Sequence, residues 1–251
     1  MQELNIGQYT EKYRTIRKGN GDKILFEGIH AWKHAFRFGA EFEEILISDV
    51  EQIENLPENV LRKDEKKYIL ENAIRVEEEF FDKLIPYKTR SKVLAIAKKP
   101  TYKLEEISQE KPIVFLENPA NPENIGMVLR ISAAFGAGAL VTTGRNNPFS
   151  ASVLRAGAGL IYAVPTFRIE EFSKDFFQGR KIIVADAEGK SIKKNKIPKN
   201  AVIIFGTERE GVSEKLKKTA DKILKLDMQP NVSSLNLATS VSAFLYGGEF
   251  K

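Results

Sequence analysis

Short apolar runs alternating with longer stretches of helical period set the expected architecture of this chain. In its second half the runs fall at 113–116, 139–142, 181–185, 201–205 and 223–226. Between them, apolar residues recur three and four apart over 124–135, 151–158, 170–177 and 212–220, and again over 234–246. That spacing predicts helices. Apolar runs too short for helices, separated by helical segments, predict a parallel sheet whose two faces are covered by its crossovers. Ligands of such sheets bind beyond the carboxyl ends of the strands. Chemistry is therefore expected in the loops after Leu116, Thr142, Phe205 and Leu226.

The first half reads as a smaller α/β unit. Strands are predicted at 24–26, 45–47 and 93–97, with a helix over 27–39 and a charged, helix-period stretch over 51–84. A basic opening segment, EKYRTIRKGNGDK, carries a Gly-Asn-Gly break. The segment KKPTYKLEEISQE at 98–110 is poor in apolar residues, contains a proline and is the expected linker. Two domains are predicted, 1–105 and 106–251.

Composition narrows the function. Hydrophobic residues at 42% and charged residues at 29% describe an ordinary cored protein. With no cysteine, disulfides, thiolate metal centres and cysteine nucleophiles are excluded. His30 and His34 are the only imidazoles, which argues against a Ser-His-Asp triad and a multi-histidine metal site. No metal is expected. The N-terminus lacks the apolar core of a signal peptide, and no membrane span is visible, so a cytoplasmic protein is expected. Charge is uneven: residues 1–110 hold 19 basic and 21 acidic side chains, residues 111–251 hold 20 and 13. A basic half suits a polyanionic partner, and a solvated lysine-rich surface is the plainer alternative.

Three loops hold the candidate chemistry. The first runs ENPANPENIG from Glu117 to Gly126 and enters a helix, predicted to start near Asn124, that bears Arg130. Gly126, Ala133 and Ala134 share the Arg130 face and leave room around its guanidinium, which suits a phosphate or carboxylate. An arginine snorkelling from a core helix is the alternative. The second loop, GTEREG from Gly206 to Gly211, has neither Walker nor Rossmann spacing and by itself could be an ordinary turn. The third, DMQPNVSSLN, precedes a final helix capped by a serine at 233 or 234, and capping alone would also explain Ser234 and Asn236.

Taken together, these loops resemble the three signature motifs of the SpoU family of S-adenosylmethionine-dependent RNA ribose 2′-O-methyltransferases. The first is Asn124-x-Gly126-x-x-x-Arg130 ending in Phe135-Gly136, the second Phe205-Gly206-Thr207-Glu208-x-x-Gly211, the third Leu226-x-Met228 followed by Ser234-Leu235-Asn236. Asp227 stands where the family often has proline, and Gly157 where serine is common. The region around Phe26-Glu27-Gly28 is similar to the RNA-recognition domain, akin to a kink-turn-binding ribosomal protein, that often precedes this catalytic domain.

The resemblance implies an α/β protein with a C-terminal parallel-sheet domain tied in a deep trefoil knot, a rare exception to ordinary chain connections. It implies a homodimer through the catalytic domain, with Arg130 near the subunit boundary. Structured RNA would be the substrate, ribosomal RNA ahead of transfer RNA. S-adenosylmethionine would be held by Gly206, Leu226 and Leu235, with Thr142, Thr143 and Met228 as further candidates. Arg130, Asn124, Glu208, Ser234 and Asn236 would carry the chemistry. A knotted methyltransferase acting on a base nitrogen and a non-catalytic RNA-binding protein are the competing readings.

Overall fold

The computed structural model describes residues 5–87, 91–177, 179–207 and 209–248. Residues 5–100 contain α1 (Ile6–Ile16), β1 (Lys23–Glu27), α2 (Ile29–Arg37), β2 (Phe42–Ile47), α3 (Val50–Asn55), α4 (Lys63–Asn72), β3 (Ile74–Arg75), α5 (Glu78–Leu84) and β4 (Val93–Lys98). Then come β5 (Ile113–Leu116), α6 (Pro122–Ala134), β6 (Ala139–Thr142) and α7 (Ala151–Ala156). The chain ends with β7 (Thr166–Arg168), β8 (Ile182–Ser191), β9 (Val202–Phe205), α8 (Glu214–Lys217), β10 (Lys222–Lys225) and α9 (Leu237–Gly247).

Two compact units emerge, and their boundary differs from the expected one. The first comprises 1–100 together with 149–162; the second comprises 101–148 and 163–251. The predicted linker shortens, because β4 extends through Lys98 and Ile107 is already buried in the core of the second unit. Segment 149–162 sits in the first unit for a packing reason. Ala151 is buried with Tyr13, Leu25, Leu46 and Phe81, and its amide donates to the Arg17 carbonyl at 2.9 Å. Gly159, at φ +74°, lies so close to the Ala31 carbonyl oxygen that a Cβ would stand 1.9 Å from it. Only glycine fits both the backbone and the gap.

The first unit is built on a four-stranded sheet in the order β1-β4-β2-β3, with β4 antiparallel to both neighbours and β2 parallel to β3. The first part of its basic opening segment folds into α1, and several of its charges are paired locally. Lys12 pairs with Glu44, Arg14 with Glu11, Arg17 with Glu27 and Lys23 with Glu43. Glu27 is also bound by Arg155 at 2.8 Å and by the Tyr87 hydroxyl.

The second unit is a six-stranded, all-parallel sheet in the order β10-β8-β9-β5-β6-β7. Every residue of β5, β6 and β9 is buried, as strands covered on both faces require. Ile113, Phe115, Val141, Val184 and Ile204 form one side of this core, and the edge of Phe205 meets Phe244 of α9 at 5.4 Å on another. The predicted helix over 170–177 is reduced to a turn at Asp175–Phe177. Phe172 stacks on Phe177 at 5.2 Å and meets Phe115 edge-on, so aromatic packing overrides the helical period. The short edge strand β7 was not predicted.

β8 carries an irregularity that matters for the site. Val184 pairs with Ile223 and Lys190 with the next residue, Leu224, so 185–189 loop out of the ladder. Gly189 closes that bulge against the backbone of Ile223, where a Cβ would meet the carbonyl carbon at 2.6 Å.

Candidate functional site

The strand-end loops converge as parallel-sheet topology requires. Asn121 caps α6 by accepting from the Glu123 amide at 2.8 Å, and Pro122 fits the first turn, where no amide is needed. The helix therefore starts two residues before Asn124, which lies inside it, buried. α9 is capped by Asn236 rather than by Ser233 or Ser234: its Oδ1 accepts from the Ala238 amide at 2.9 Å. The same amide group donates through Nδ2 to Asn124 Oδ1 at 3.1 Å. One side chain thus both starts the last helix and joins the first loop to the third.

The second loop folds back on itself. Thr207 and Gly211 exchange backbone hydrogen bonds of 3.0 and 3.1 Å. A Cβ on Gly206 would lie 1.9 Å from the Gly211 carbonyl carbon, so glycine is needed for the loop to close upon its own backbone. Glu208 lies outside the described residues. The third loop is fastened at Asp227, whose Oδ2 accepts from the Ser191 hydroxyl at 2.5 Å. That bond holds the chain where a proline would otherwise stiffen it.

Between these loops lies a cavity of about 370 Å³. Phe205, Leu226, Met228, Leu235, Leu237 and Phe244 give it apolar walls. Gly206, Thr207, Gly211, Ser233, Ser234 and Ser240 contribute backbone and hydroxyl groups. The bulge of β8 brings in Asp186. Burial pushes the Asp186 carboxyl up, but the Glu188 amide at 2.9 Å and the Lys217 ammonium at 2.9 Å outweigh it and hold it below the ordinary range. Lys217 is raised in turn, chiefly by its hydrogen bond to Asp186.

Of the residues expected to hold a cofactor, Gly206, Leu226, Met228 and Leu235 line this cavity together with Ser234. Thr142 and Thr143 do not. Thr142 is buried at the end of β6. Thr143 accepts from the Asn118 amide at 3.0 Å and lines a second hollow of about 100 Å³ with Glu117 and Phe172. Thr143 serves the first loop, whereas the Thr142 hydroxyl donates to the Phe167 carbonyl at 3.5 Å. Arg130 lies on the exposed face of α6 near Met127 and Ala134, outside the cavity, with no hydrogen bond or ion pair among the described residues. His34 Nδ1 sits 2.8 Å from the Ala158 carbonyl. Among the described residues no group of three or more His, Asp or Glu side chains could hold a metal, and no helix is long and apolar enough to cross a membrane. Sequence reasoning missed Asp186; the only signal was an acid directly after an apolar run.

Known proteins resemble this chain in sequence and in fold. The 23S rRNA (adenosine(1067)-2′-O)-methyltransferase of Streptomyces laurentii is 27% identical over 89% of this chain and 84% of its own. An uncharacterized tRNA/rRNA methyltransferase of Archaeoglobus fulgidus is 30% identical over 53% of the chain, which spans 62% of that relative. Among solved structures, the SpoU methyltransferase AviRb of Streptomyces viridochromogenes, in complex with S-adenosylmethionine, superimposes with a TM-score of 0.80. It is 19% identical and covers 98% of this chain and 97% of its own, a likeness of fold. Residues 111–246, more than half of the chain, match the SpoU rRNA Methylase family, and the protein belongs to that family.

Proposed function

We propose that this protein transfers a methyl group from S-adenosylmethionine to a ribose 2′-hydroxyl of structured RNA, ribosomal RNA ahead of transfer RNA, as a cytoplasmic homodimer. One observation carries the reading. The second and third loops wall a single cavity, and Asn236 ties it to Asn124 of the first. At about 370 Å³, with apolar walls and a few polar groups, the cavity fits a nucleoside-sized ligand. Gly206, Leu226, Met228 and Leu235 would hold the cofactor there, in the bend of a deep trefoil knot. When bound, the cofactor supplies a methyl group on a positive sulfur, already activated for in-line displacement.

The protein's task is then alignment and electrostatics. Asn124 and Asn236, fixed to each other, orient the ribose, and Ser234 completes the rim. Arg130 positions hydroxyl and phosphate and stabilises the developing alkoxide. Glu208 would orient Arg130 or its loop. The homodimer reading is supported by Met127, Leu235 and Tyr246, large apolar side chains that one copy leaves exposed. Residues 1–100 with 149–162 would supply RNA recognition.

The test is incubation with methyl-labelled S-adenosylmethionine and total RNA, then nuclease digestion. Label in a nuclease-resistant dinucleotide is the expected result, because a 2′-O-methyl group blocks cleavage. Label on a base nitrogen would make it a base methyltransferase, and no label without cofactor binding would leave a non-catalytic RNA-binding protein.

A further inference from the structure

The cavity contains one acid held inside it, and neither motif chemistry nor loop closure accounts for its place. Asp186 is only 12% exposed at its side chain, whereas Arg209 and Glu210 on the same rim are exposed. The bulge at 185–189 puts it there. Beside it stands Gly211, at φ +71°, where a Cβ would come into ordinary van der Waals contact with Asp186 Oδ2 at 3.9 Å, so no side chain at this position covers the carboxylate.

We propose that Asp186 recognises the ribose hydroxyls of the nucleoside bound in this cavity. The inference rests on the reading of the cavity as a cofactor site and deepens it. Its chemistry follows from what Asp186 already binds. Oδ1 accepts from the Glu188 amide at 2.9 Å and Oδ2 from Lys217 Nζ at 2.9 Å. Each carboxylate oxygen has a second lone pair, so two acceptor sites remain. Lys217, which also pairs with Glu214 at 3.2 Å, stands directly on Asp186 Oδ2, so a cation such as an ammonium or a sulfonium approaching that oxygen would meet Nζ repulsion. Neutral hydroxyl donors meet no such penalty and gain hydrogen bonds to an ionised acceptor, stronger than those to a neutral one. A vicinal diol offers two donors to one carboxylate. Asp186 is thus a specificity residue for ribose over deoxyribose, and Lys217 positions it.

The plainer account makes the Asp186–Lys217 pair a tie between the β8 bulge and α8, with no ligand. Two variants separate the accounts. Calorimetric titration of the full-length protein with adenosine, 2′-deoxyadenosine and 3′-deoxyadenosine is expected to show about a tenfold loss on removing a recognised hydroxyl. In Asp186→Asn, which keeps the shape and loses the charge, this preference should fall to about twofold or less. Lys217→Met should weaken all three nucleosides yet keep the preference. Equal affinity of the wild type for the three, or a full preference persisting in Asp186→Asn, would overturn the hydroxyl assignment even with S-adenosylmethionine bound. Failure of the wild type to bind S-adenosylmethionine would overturn the cofactor reading itself.

Discussion

Arg130 shows what a single residue reveals and conceals. Its place in the first motif and its small neighbours are visible in the sequence, and both point to an anion. The structure adds that the side chain is exposed and outside the cavity. An exposed arginine without partners among the described residues contributes little to stability, so its removal should leave melting nearly unchanged. Under the proposed role, Arg130→Ala should retain S-adenosylmethionine affinity and lose turnover by a factor on the order of 100 to 1,000, as for one electrostatic stabiliser. Arg130→Lys keeps the charge without the planar fork and should recover little. Single-turnover methylation at saturating RNA checks both variants, and full activity in a folded Arg130→Ala protein would remove the residue from the mechanism. Gly206 teaches the opposite lesson. Its spacing marks it as special, and beside its place in the cavity wall the structure adds a steric reason, closure onto Gly211. Sequence spacing identifies the position; only coordinates supply the neighbour.

Elements were legible where burial dictates pattern. β5 and β6 appear at their predicted bounds because strands buried on both faces read as unbroken apolar runs. The 185–189 bulge was not legible, since a polar departure from a strand looks like a loop. Nor was the loss of the 170–177 helix, decided by rings from distant segments. Charge pairs between elements are equally invisible in sequence, and the one joining α2 to α4 has a measurable consequence. Arg37 holds Glu65 through two hydrogen bonds, 2.5 and 3.0 Å. Burial raises the Glu65 carboxyl, but Arg37 and the Arg62 amide lower it further, for a net shift downward. A carboxyl with a folded pKa below its unfolded value, near 4.3, stabilises the fold above that pH. The contribution disappears as the pH falls through the folded value. Acid unfolding should therefore steepen below about pH 4.5 in the wild type, and Glu65→Gln should lack that part of the pH dependence. Parallel curves for the two proteins across pH 3 to 6 would show that the pair is not linked to stability.

For the whole molecule, two domains were legible from the change of pattern after the 98–110 segment, but the course of the chain between them was not. Residues 149–162 lie in sequence within the second unit and in space within the first. A periodicity over 151–158 predicts a helix and cannot say which core the helix joins. The consequence is that the second unit is not a contiguous piece of sequence. A chain reduced to residues 101–251 would retain Ala151, Val153, Leu154 and Ile161, all buried in the intact protein, without the partners of the first unit. It would also deprive Arg155 of Glu27 and the Ala158 carbonyl of His34. Burying an aliphatic side chain of this size is worth about 1.5–3 kcal/mol, so exposing several at once is a large fraction of a domain's stability. The truncated protein should bind a hydrophobic dye and self-associate in gel filtration, with the 149–162 segment readily cut by protease. Any fall in its RNA affinity would then reflect damage as much as a lost recognition surface. Recognition by the first unit is better measured in the full-length chain, as the salt dependence of RNA binding after neutralising exposed lysines. A monomeric, protease-resistant 101–251 fragment would instead mean that 149–162 folds onto the second unit when the first is absent.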